Sequence, residues 1–344
     1  MDWVLLVASL LIILIAAELF TNGIEWVGEG FGLSEGAVGS VLAAVGTALP
    51  ETLLPIVAIV SGHEAGDEIG IGAILGAPFM LTTLAMVVIG VAVLFYGRGG
   101  RRSGDLDIDR RVIQQDLGYF LVMYALAMIA GLLHVRVIDV CLAIVLVVGY
   151  AYYVRRHFQA PQTDAEGEGA TDIRPLRLWV GLRRVLRNLP EWTVERSTAA
   201  PFVQVTFGLI LMVGGAELFV DAVGNLGEAA GLPPLAFSLL VAPLATELPE
   251  KFNSVLWVRR NKDTLAMGNM TGAMVFQSSF PVTVGLLLTP WELAHEALVA
   301  ACVALLAGSV LYVTLRFRGR LSARLLLLQG VFYVGYVAYV VTKL

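Results

Sequence analysis

The sequence predicts an all-α membrane protein with about ten transmembrane helices, arranged as two inverted five-helix repeats. Three observations support this prediction. Of the 344 residues, 58% are hydrophobic and only 15% are charged, whereas soluble domains usually carry about 25% charged residues. The apolar residues fall in blocks of roughly twenty, which is the length that a helix needs to cross a bilayer. The two halves of the chain also share a recurring segment.

Apolar blocks bounded by charged residues, glycine and proline define ten predicted spans. Their limits are 3–20, 36–60, 69–96, 116–132, 136–154, 201–221, 234–257, 264–288, 294–315 and 323–342. The first block has no Lys or Arg before it, so it lacks the positive region of a secretory signal and is predicted to be a retained span. The predicted organisation is a first repeat at 1–154, a polar linker at 155–200 and a second repeat at 201–344. Within the linker, 173–189 interleaves arginines with apolar residues, which is typical of a helix lying along a membrane surface.

The distribution of basic residues predicts the orientation, because cytoplasmic loops are enriched in Lys and Arg. The loops after the odd-numbered spans carry 20 of the 23 basic residues, and the exceptions are Arg136, Lys251 and Lys343. We call the side of these loops the arginine-rich face and predict that it is cytoplasmic. The linker 155–200 is then cytoplasmic, both termini lie outside, and the protein is integral to the plasma or inner membrane.

Composition and motifs exclude several other classes of protein. The formal charge is −5 and no basic cluster is interleaved with aromatic residues, so nucleic-acid binding is not predicted. Cys141 and Cys302 lie inside apolar blocks, which argues against a disulfide framework or a cysteine metal cluster. Neither a nucleotide-binding loop nor a Gly-x-Ser-x-Gly motif is present. We therefore predict a secondary transporter, not an enzyme, with no covalent cofactor. Its partners are inorganic cations and the lipid bilayer, and the sequence leaves the oligomeric state open.

An internal repeat with an offset of 199 residues is the strongest signal in the sequence. Ala17–Phe20 recurs as Ala216–Phe219, and Thr47–Glu51 recurs as Thr246–Glu250, with 14 of 35 positions identical across 17–51. Each half holds five spans, an odd number, so the second half crosses the membrane in the opposite sense. Inverted repeats of this kind place a binding site near the midplane, where the halves meet.

Glu51 and Glu250 carry the predicted chemistry of that site. A glutamate inside an apolar span costs at least ~2–3 kcal/mol on insertion scales and usually faces a cavity or a partner. Each follows a proline, which leaves the carbonyl four residues earlier, at Gly46 or Ala245, without its usual donor. Carboxylate and carbonyl oxygens are the hard ligands that Ca²⁺ prefers. A kinked helix with a satisfied carboxyl group is the alternative interpretation, but the symmetric recurrence favours a cation site.

Two facing carboxylates also predict exchange. Together they neutralise one divalent cation, and they repel each other once that cation leaves. Protons or monovalent cations must then replace it, which is the behaviour of an antiporter. Two interpretations from other classes remain open at this point: a divalent-cation channel or uniporter, and a non-transporting membrane scaffold that retains the fold.

The repeated segments resemble the α-repeats of the cation/calcium exchanger superfamily, including sodium/calcium exchangers. The family motif is similar to G-T-S-L-P-E followed by G-N-x-x-G-S-N-x-F-N, and the corresponding segments here are 46–51 with 72–81, and 245–250 with 268–277. The resemblance implies alternating access around a midplane site, with Ca²⁺ transported in exchange for Na⁺ or H⁺. It also implies that Glu51 and Glu250 bind the cation together with oxygens of Thr47 and Thr246.

The motifs depart from the family pattern at the positions of its Ser-Asn pair. These positions are Ala77-Pro78 in the first half and Ala273-Met274 in the second, and none of the four side chains offers an oxygen ligand. The departure favours H⁺ over Na⁺ as the counter-ion, because protonation of two carboxylates needs no additional oxygen ligands. Both counter-ions remain open, as does a divalent cation other than Ca²⁺.

Possible accessory residues come in pairs. Thr82 and Ser278 lie one helical turn beyond the missing Asn positions and offer either ligand oxygens or bonds to their own helix backbone. Glu247 stands at the serine position of the second-half motif, where the first half has Ala48. It forms an i, i+4 pair with Lys251, which is either a self-satisfied ion pair or an ammonium that replaces a monovalent ion.

Glu18 and Glu217 are a third symmetric pair, at corresponding positions in spans one and six. They are interpreted either as residues of the ion pathways on opposite sides of the membrane or as residues that reach the membrane–water interface.

Overall fold

The structure, a computed structural model, describes residues 2–30, 43–97, 104–159, 175–180 and 199–343. The long helices of the described residues, in chain order, are α1 (Asp2–Gly30), α2 (Ala43–Val60), α3 (Gly66–Thr82), α4 (Leu84–Tyr96), α5 (Arg110–Leu133), α6 (Arg136–Gln159), α7 (Ala199–Ala230), α8 (Pro234–Thr246), α9 (Leu248–Arg259), α10 (Asp263–Gln277), α11 (Phe280–Leu288), α12 (His295–Arg318) and α13 (Ala323–Val341).

These helices confirm the predicted fold class of an all-α membrane protein. Within the described residues, eight helical segments are long and apolar enough to cross a membrane, and Leu49–Val60 and Pro234–Leu244 are shorter apolar helices. The two shorter helices lie in predicted spans two and seven, and the start of span two, 36–42, lies outside the described residues. Apolar side chains that point away from the core, such as Val4, Leu11, Ile144, Val148 and Val331, form the surface that would face lipid.

Three predicted spans are broken into two helices each. Span three breaks at Thr83 (φ −113°, ψ −85°) and span eight breaks at Ser278-Ser279, where Ser279 has φ −118° and ψ −74°. Thr83 and Ser279 are equivalent positions in the two repeats, and the hydroxyl of each donates to a carbonyl of the preceding turn, of Phe79 and Val275 respectively. Such back-bonding bends helices. Span seven breaks at Glu247, between α8 and α9.

Helix contacts show a pseudo-two-fold arrangement that exchanges the two halves. The pairs α1–α7 and α5–α12 each join equivalent helices of the two repeats. Contacts between the repeats also come in symmetric pairs: α5–α10 is matched by α12–α3, and α4–α13 is matched by α11–α6. This pattern is what two inverted five-helix repeats require.

Two glycines let α3 approach α8 closely. A Cβ at Gly72 would collide with the carbonyl oxygen of Leu235, and a Cβ at Gly76 would collide with the carbonyl oxygen of Leu239. Small residues at a four-residue spacing are what close helix packing inside a membrane needs. This contact brings the first repeat's α3 against the second repeat's α8, next to the residues that the sequence analysis selected.

Part of the predicted linker contacts the membrane helices. Leu176 is buried, and the backbone N–H groups of Arg177 and Leu178 donate to the side-chain oxygens of Asn22 and Gln204, at 2.9 Å each. These two side chains belong to α1 and α7, and the Gln204 amide also donates to Asn22. Of the predicted surface helix 173–189, only 175–180 lies within the described residues.

One exception to the arginine-rich face has a structural explanation. Arg136 donates hydrogen bonds to the carbonyl oxygens of Leu286, Leu287 and Thr289, at the carboxyl end of α11. The last carbonyls of a helix have no partner within it and carry partial negative charge, so a guanidinium there is favourable. Arg136 therefore caps a helix on the face opposite the arginine-rich face.

Candidate cation site

Glu51 lies in α2 and points into a small internal cavity. Its side chain is only 6% exposed, and Oε2 has no hydrogen-bond partner among the described residues. The cavity has a volume of about 10 Å³, room for about one water-sized particle. Its lining comes from α2, α3 and α8, namely Glu51, Leu54, Pro55, Ala73, Ala77, Ala242, Pro243 and Thr246. The cavity therefore lies where the two repeats meet.

Thr246 brings the second repeat to the same cavity. It is the last residue of α8, is buried, and its hydroxyl donates to the carbonyl oxygen of Ala242 at 3.2 Å, which leaves the oxygen lone pairs available. Its predicted counterpart, Thr47, belongs to the backbone of α2, but its side chain lies outside what the structure describes. The pairing of Thr47 with Thr246 stays a prediction.

Glu250 lies in the first turn of α9, four residues after Thr246. It is 7% exposed, and its Oε2 also has no partner among the described residues. An amide on α10 fixes the backbone at this point: Asn269 donates to the carbonyl oxygen of Glu250 at 3.1 Å and to the hydroxyl of Ser254 at 3.2 Å. The carboxylate thus sits at the amino end of a helix that α10 holds in position, where the helix dipole favours negative charge.

Glu247 and Lys251 form a buried ion pair beside these residues. The Lys251 Nζ lies 3.0 Å from Glu247 Oε2, and the two residues are 5% and 1% exposed. The ammonium also donates to the carbonyl oxygen of Pro243 at 3.4 Å, and Pro243 lines the cavity. The predicted i, i+4 pair is confirmed, and the second oxygen of Glu247, Oε1, has no partner among the described residues.

The four ionisable groups interact with one another. Glu51 has direct electrostatic interactions with Glu250, Glu247 and Lys251, although it comes from the opposite repeat. Three carboxylates and one ammonium leave a formal charge of minus two. Buried charges are tolerated only when they are paired or bind an ion, and one divalent cation would balance this arrangement.

The acidic side chains are only part of a ligand set. In the part of the chain that the structure describes, no group of three or more His, Cys, Asp or Glu side chains is arranged to hold a metal ion. Ca²⁺ takes six to eight oxygen ligands, so backbone carbonyls, hydroxyl groups and water would have to complete its shell. The prolines at positions 50 and 249 free carbonyls next to both glutamates.

The remaining accessory candidates do not belong to this group of four ionisable residues. Thr82 and Ser278 are buried, but their hydroxyls donate to carbonyls of their own helices, of Pro78 at 2.8 Å and of Val275 at 3.0 Å. Glu18 is exposed and pairs with Arg177 of the linker at 3.1 Å, and Glu217 is exposed on α7. The hydrogen bonds of Thr82 and Ser278 are those of the structural interpretation, and both interpretations of Glu18 and Glu217 stay predictions.

Two polar residues of α10 were not selected from the sequence. Asn269 positions the backbone of Glu250, as described above. Gln277 is buried at the end of α10, immediately before the break at Ser278, and its Oε1 has no partner among the described residues. The first repeat has Ala73 and Leu81 at the equivalent positions. Comparison of the two repeats could therefore have identified Asn269 and Gln277 as polar residues that only the second repeat has.

The fold and the buried charges define a class of protein. Inverted repeats, broken helices and acidic side chains at the interface of the halves are the features of a secondary transporter. Consistent with this, the family model for sodium/calcium exchanger protein matches residues 1–158 and 200–344. The chain belongs to this family, whose members exchange inorganic cations, and it is a transporter and not an enzyme. The resemblance seen in the sequence is confirmed.

Several relatives cover nearly the whole chain. The chain is 24% identical over 345 residues to the putative antiporter CaxA of Alkalimonas amylolytica, covering 97% of this chain and 96% of that protein. It is 23% identical over 317 residues to the inner membrane protein YrbG of Escherichia coli strain K12, covering 91% and 88%.

Two solved structures share the fold. The crystal structure of the H⁺/Ca²⁺ exchanger CAX matches with a TM-score of 0.71 at 16% identity, over 99% of this chain and 86% of that one. The sodium-calcium exchanger NCX_Mj matches with a TM-score of 0.54 at 20% identity, over 98% and 97%. At these identities the likeness shows the fold alone.

Proposed function

We propose that this protein is a secondary-active antiporter that moves Ca²⁺ in exchange for H⁺ or Na⁺ by alternating access. The observation that carries the proposal is that Glu51 and Glu250 come from opposite repeats, are both buried, interact electrostatically and each have an oxygen without a partner among the described residues. Membership of the exchanger family and the names of the relatives support the same conclusion.

The proposed ligands combine both repeats. Glu51 and Glu250 supply carboxylate oxygens, Thr246 and Thr47 supply hydroxyl or carbonyl oxygens, and the carbonyls freed by the prolines complete part of the shell. Gln277 is a further candidate, because its amide oxygen is buried and unpartnered among the described residues. Hard oxygen ligands of this kind suit Ca²⁺ better than a transition metal.

Exchange follows from the electrostatics of the empty site. When the divalent cation leaves, the carboxylates of Glu51 and Glu250 repel each other, so the halves cannot reorient until another positive charge enters. The cavity beside Glu51 has room for about one water-sized particle. A cavity of this size, lined by both repeats, fits a carrier that binds one ion at a time.

We favour H⁺ as the counter-ion. The motif positions at which the family carries Ser-Asn are Ala77-Pro78 and Ala273-Met274, and these side chains cannot coordinate Na⁺. Protons bind directly to the carboxylates of Glu51 and Glu250 and need no further ligands. Na⁺ is the second candidate, held by the oxygens that also hold Ca²⁺.

We also propose the orientation. The arginine-rich face is cytoplasmic, with the 155–200 linker on that side between repeats at 1–154 and 201–344, and both termini are outside. The positive-inside rule supports this orientation, and the E. coli relative is named as an inner membrane protein, which supports a plasma or inner membrane location.

Purified protein in liposomes tests the function. We expect ⁴⁵Ca²⁺ to accumulate against its own gradient when a pH gradient is imposed, or a Na⁺ gradient if Na⁺ is the counter-ion. Glu51→Gln and Glu250→Gln should each reduce this uptake to the level of protein-free liposomes, because each removes one of the two charges that balance the divalent cation. Glu68→Gln, the same change at an exposed glutamate of α3, is the matched control and should keep full uptake.

The alternatives give different results in the same assay. A channel or uniporter would equilibrate ⁴⁵Ca²⁺ without accumulating it against its gradient, and a scaffold would show no flux. Full uptake by the Glu51→Gln, Glu250→Gln double variant would disprove the proposed site.

A further inference from the structure

The two repeats differ at two positions that lie next to the proposed cation ligands. The second repeat has Glu247 and Lys251, where the first has Ala48 and Thr52. One repeat has thus acquired a charge of each sign on one face of a helix, inside the membrane. Both charged residues are at least nine-tenths buried, so the pair is not an exposed surface feature.

Stability alone is a weak explanation for such a pair. Transferring two charges from water costs several kcal/mol per ion, and apolar residues of similar volume often stabilise a protein equally well. The first repeat has the neutral residues Ala48 and Thr52 at the equivalent positions, so the charged pair is not a feature that the repeated motif itself requires.

The contacts of the ammonium are those of a bound cation. Lys251 Nζ lies 3.0 Å from a carboxylate oxygen of Glu247 and 3.4 Å from the carbonyl oxygen of Pro243, a residue of the cavity wall. Carboxylate and carbonyl oxygens are also the ligands that small inorganic cations use. Glu247 Oε1 remains without a partner among the described residues, so this ligand group has one further oxygen to offer.

The formal charge of the four ionisable residues shows what the ammonium of Lys251 contributes. With Lys251 in place, Glu51, Glu250, Glu247 and Lys251 carry a formal charge of minus two, which one divalent cation balances. Without the ammonium the charge would be minus three, and a mobile monovalent cation would be needed beside Glu247 for the site to be neutral.

We propose that Lys251 is a tethered cation: its ammonium occupies a monovalent-cation site formed by Glu247 and the Pro243 carbonyl, and removing it exposes that site to Na⁺ or K⁺. The role of this site in exchange rests on the proposed function, whereas its occupancy by the ammonium does not. The protein therefore transports its divalent cation without binding a mobile ion at Glu247.

Binding of monovalent ions to purified protein tests the occupancy directly. Lys251→Met keeps the length of the side chain and removes the charge. We expect the thermal unfolding midpoint of this variant to rise with NaCl or KCl to a plateau, beyond any rise in the wild type, and to show no such response to choline chloride. The Glu247→Gln, Lys251→Met double variant also lacks the ammonium and is the matched control; it should lose the added response.

Transport gives the second readout. We expect ⁴⁵Ca²⁺ uptake by Lys251→Met to gain a dependence on added Na⁺ or K⁺ beyond any that the wild type shows, by about tenfold or more between zero and saturating salt. Uptake by the double variant should respond to the added ion only as the wild type does. A folded Lys251→Met protein without an added monovalent-ion response in either assay would overturn the proposal.

A further variant covers the case in which Lys251→Met does not fold. Glu247→Gln leaves the ammonium without its counter-charge, so it should weaken Ca²⁺ binding by about tenfold or more, and adding Lys251→Met should restore it. Wild-type Ca²⁺ affinity in Glu247→Gln would contradict the tethered cation.

The results separate this inference from the proposed function. Absence of Ca²⁺ flux in the wild type, with a Glu247-dependent response to Na⁺ or K⁺ in Lys251→Met, would reject the transport function and keep the tethered cation. Wild-type Ca²⁺ exchange with no such response in Lys251→Met would keep the transport function and reject the tethered cation.

Discussion

The Thr47–Glu51 and Thr246–Glu250 segments are close in sequence but differ in structure. The first lies within the continuous helix α2, whereas the second is divided at Glu247 into α8 and α9. The same Leu-Pro-Glu sequence follows in both, so the proline alone does not break the helix. The residue that differs, Ala48 against Glu247, carries the charge that pairs with Lys251. The repeated Leu-Pro-Glu residues thus supply one carboxylate in each half. The residue before them, Ala48 or Glu247, makes the two segments different.

The repeated glycines of α3 make a close contact between the two repeats. Gly72 and Gly76 of α3 contact the backbone of α8, whereas their equivalents on α10 do not meet a close described neighbour: a Cβ at Gly272 would lie 3.9 Å from the hydroxyl of Tyr153, and one at Gly268 would meet nothing within 4 Å. The first-repeat counterparts of Leu235 and Leu239, at positions 36 and 40, lie outside the described residues, so the tight packing is assigned to the α3–α8 contact alone.

The largest expected effect concerns the close contact of α3 with α8. Gly76→Ala should destabilise the protein by about 3 kcal/mol, the upper end of the usual range for overpacking, because the new methyl group would meet backbone and the Pro243 ring. Gly335→Ala, the same change at an exposed glycine of α13, is the control and should cost little. Thermal unfolding in detergent measures both, and equal losses in the two variants would mean that α3 and α8 are not tightly packed at Gly76.

A hydrogen bond that joins the two repeats, through a donor that only the second repeat has, should give an intermediate effect. Thr271 donates to the buried carboxylate of Asp116 at 2.6 Å, whereas the first repeat has Leu75 at the equivalent position. Hydrogen bonds to charged groups contribute about 1.5–3 kcal/mol, and since Tyr153 still donates to Asp116, Thr271→Val should cost about 1.5 kcal/mol. Thr83→Val, where the hydroxyl bonds only its own helix, is the matched change and should cost less. A smaller loss for Thr271→Val would contradict this assignment.

The smallest expected effect concerns the symmetric glutamates of α1 and α7. Glu18 pairs with Arg177, but both side chains are about half exposed, and exposed ion pairs contribute only about 0–1 kcal/mol. Glu18→Gln and Glu217→Gln should therefore change the unfolding midpoint by similar, small amounts. A clearly larger loss for Glu18→Gln would show that the Arg177 contact holds the linker against α1 more strongly than its exposure indicates.

Sequence patterns predicted some details of the site and not others. The pairing of Glu247 with Lys251 was accessible, because residues four apart on a helix are neighbours wherever the helix lies. The role of Asn269 was not, because its partner, the carbonyl of Glu250, belongs to another helix. The breaks at Thr83 and Ser279 were also missed: neither residue is a proline or glycine, and apolar residues continue on both sides of each.

The sequence by itself determined the membrane class, the ten spans, the inverted repeat and the paired glutamates of this exchanger-family protein. Each follows from local composition or from comparison of the chain with itself, since a block of about twenty apolar residues must cross the bilayer and an odd number of spans inverts the second copy. Tertiary structure alone decided that Glu51 shares a cavity with Thr246, that α3 packs tightly against α8, and that Arg136 caps α11. These contacts join residues more than 140 positions apart, and the way helices pack, not their periodicity, determines which distant side chains meet.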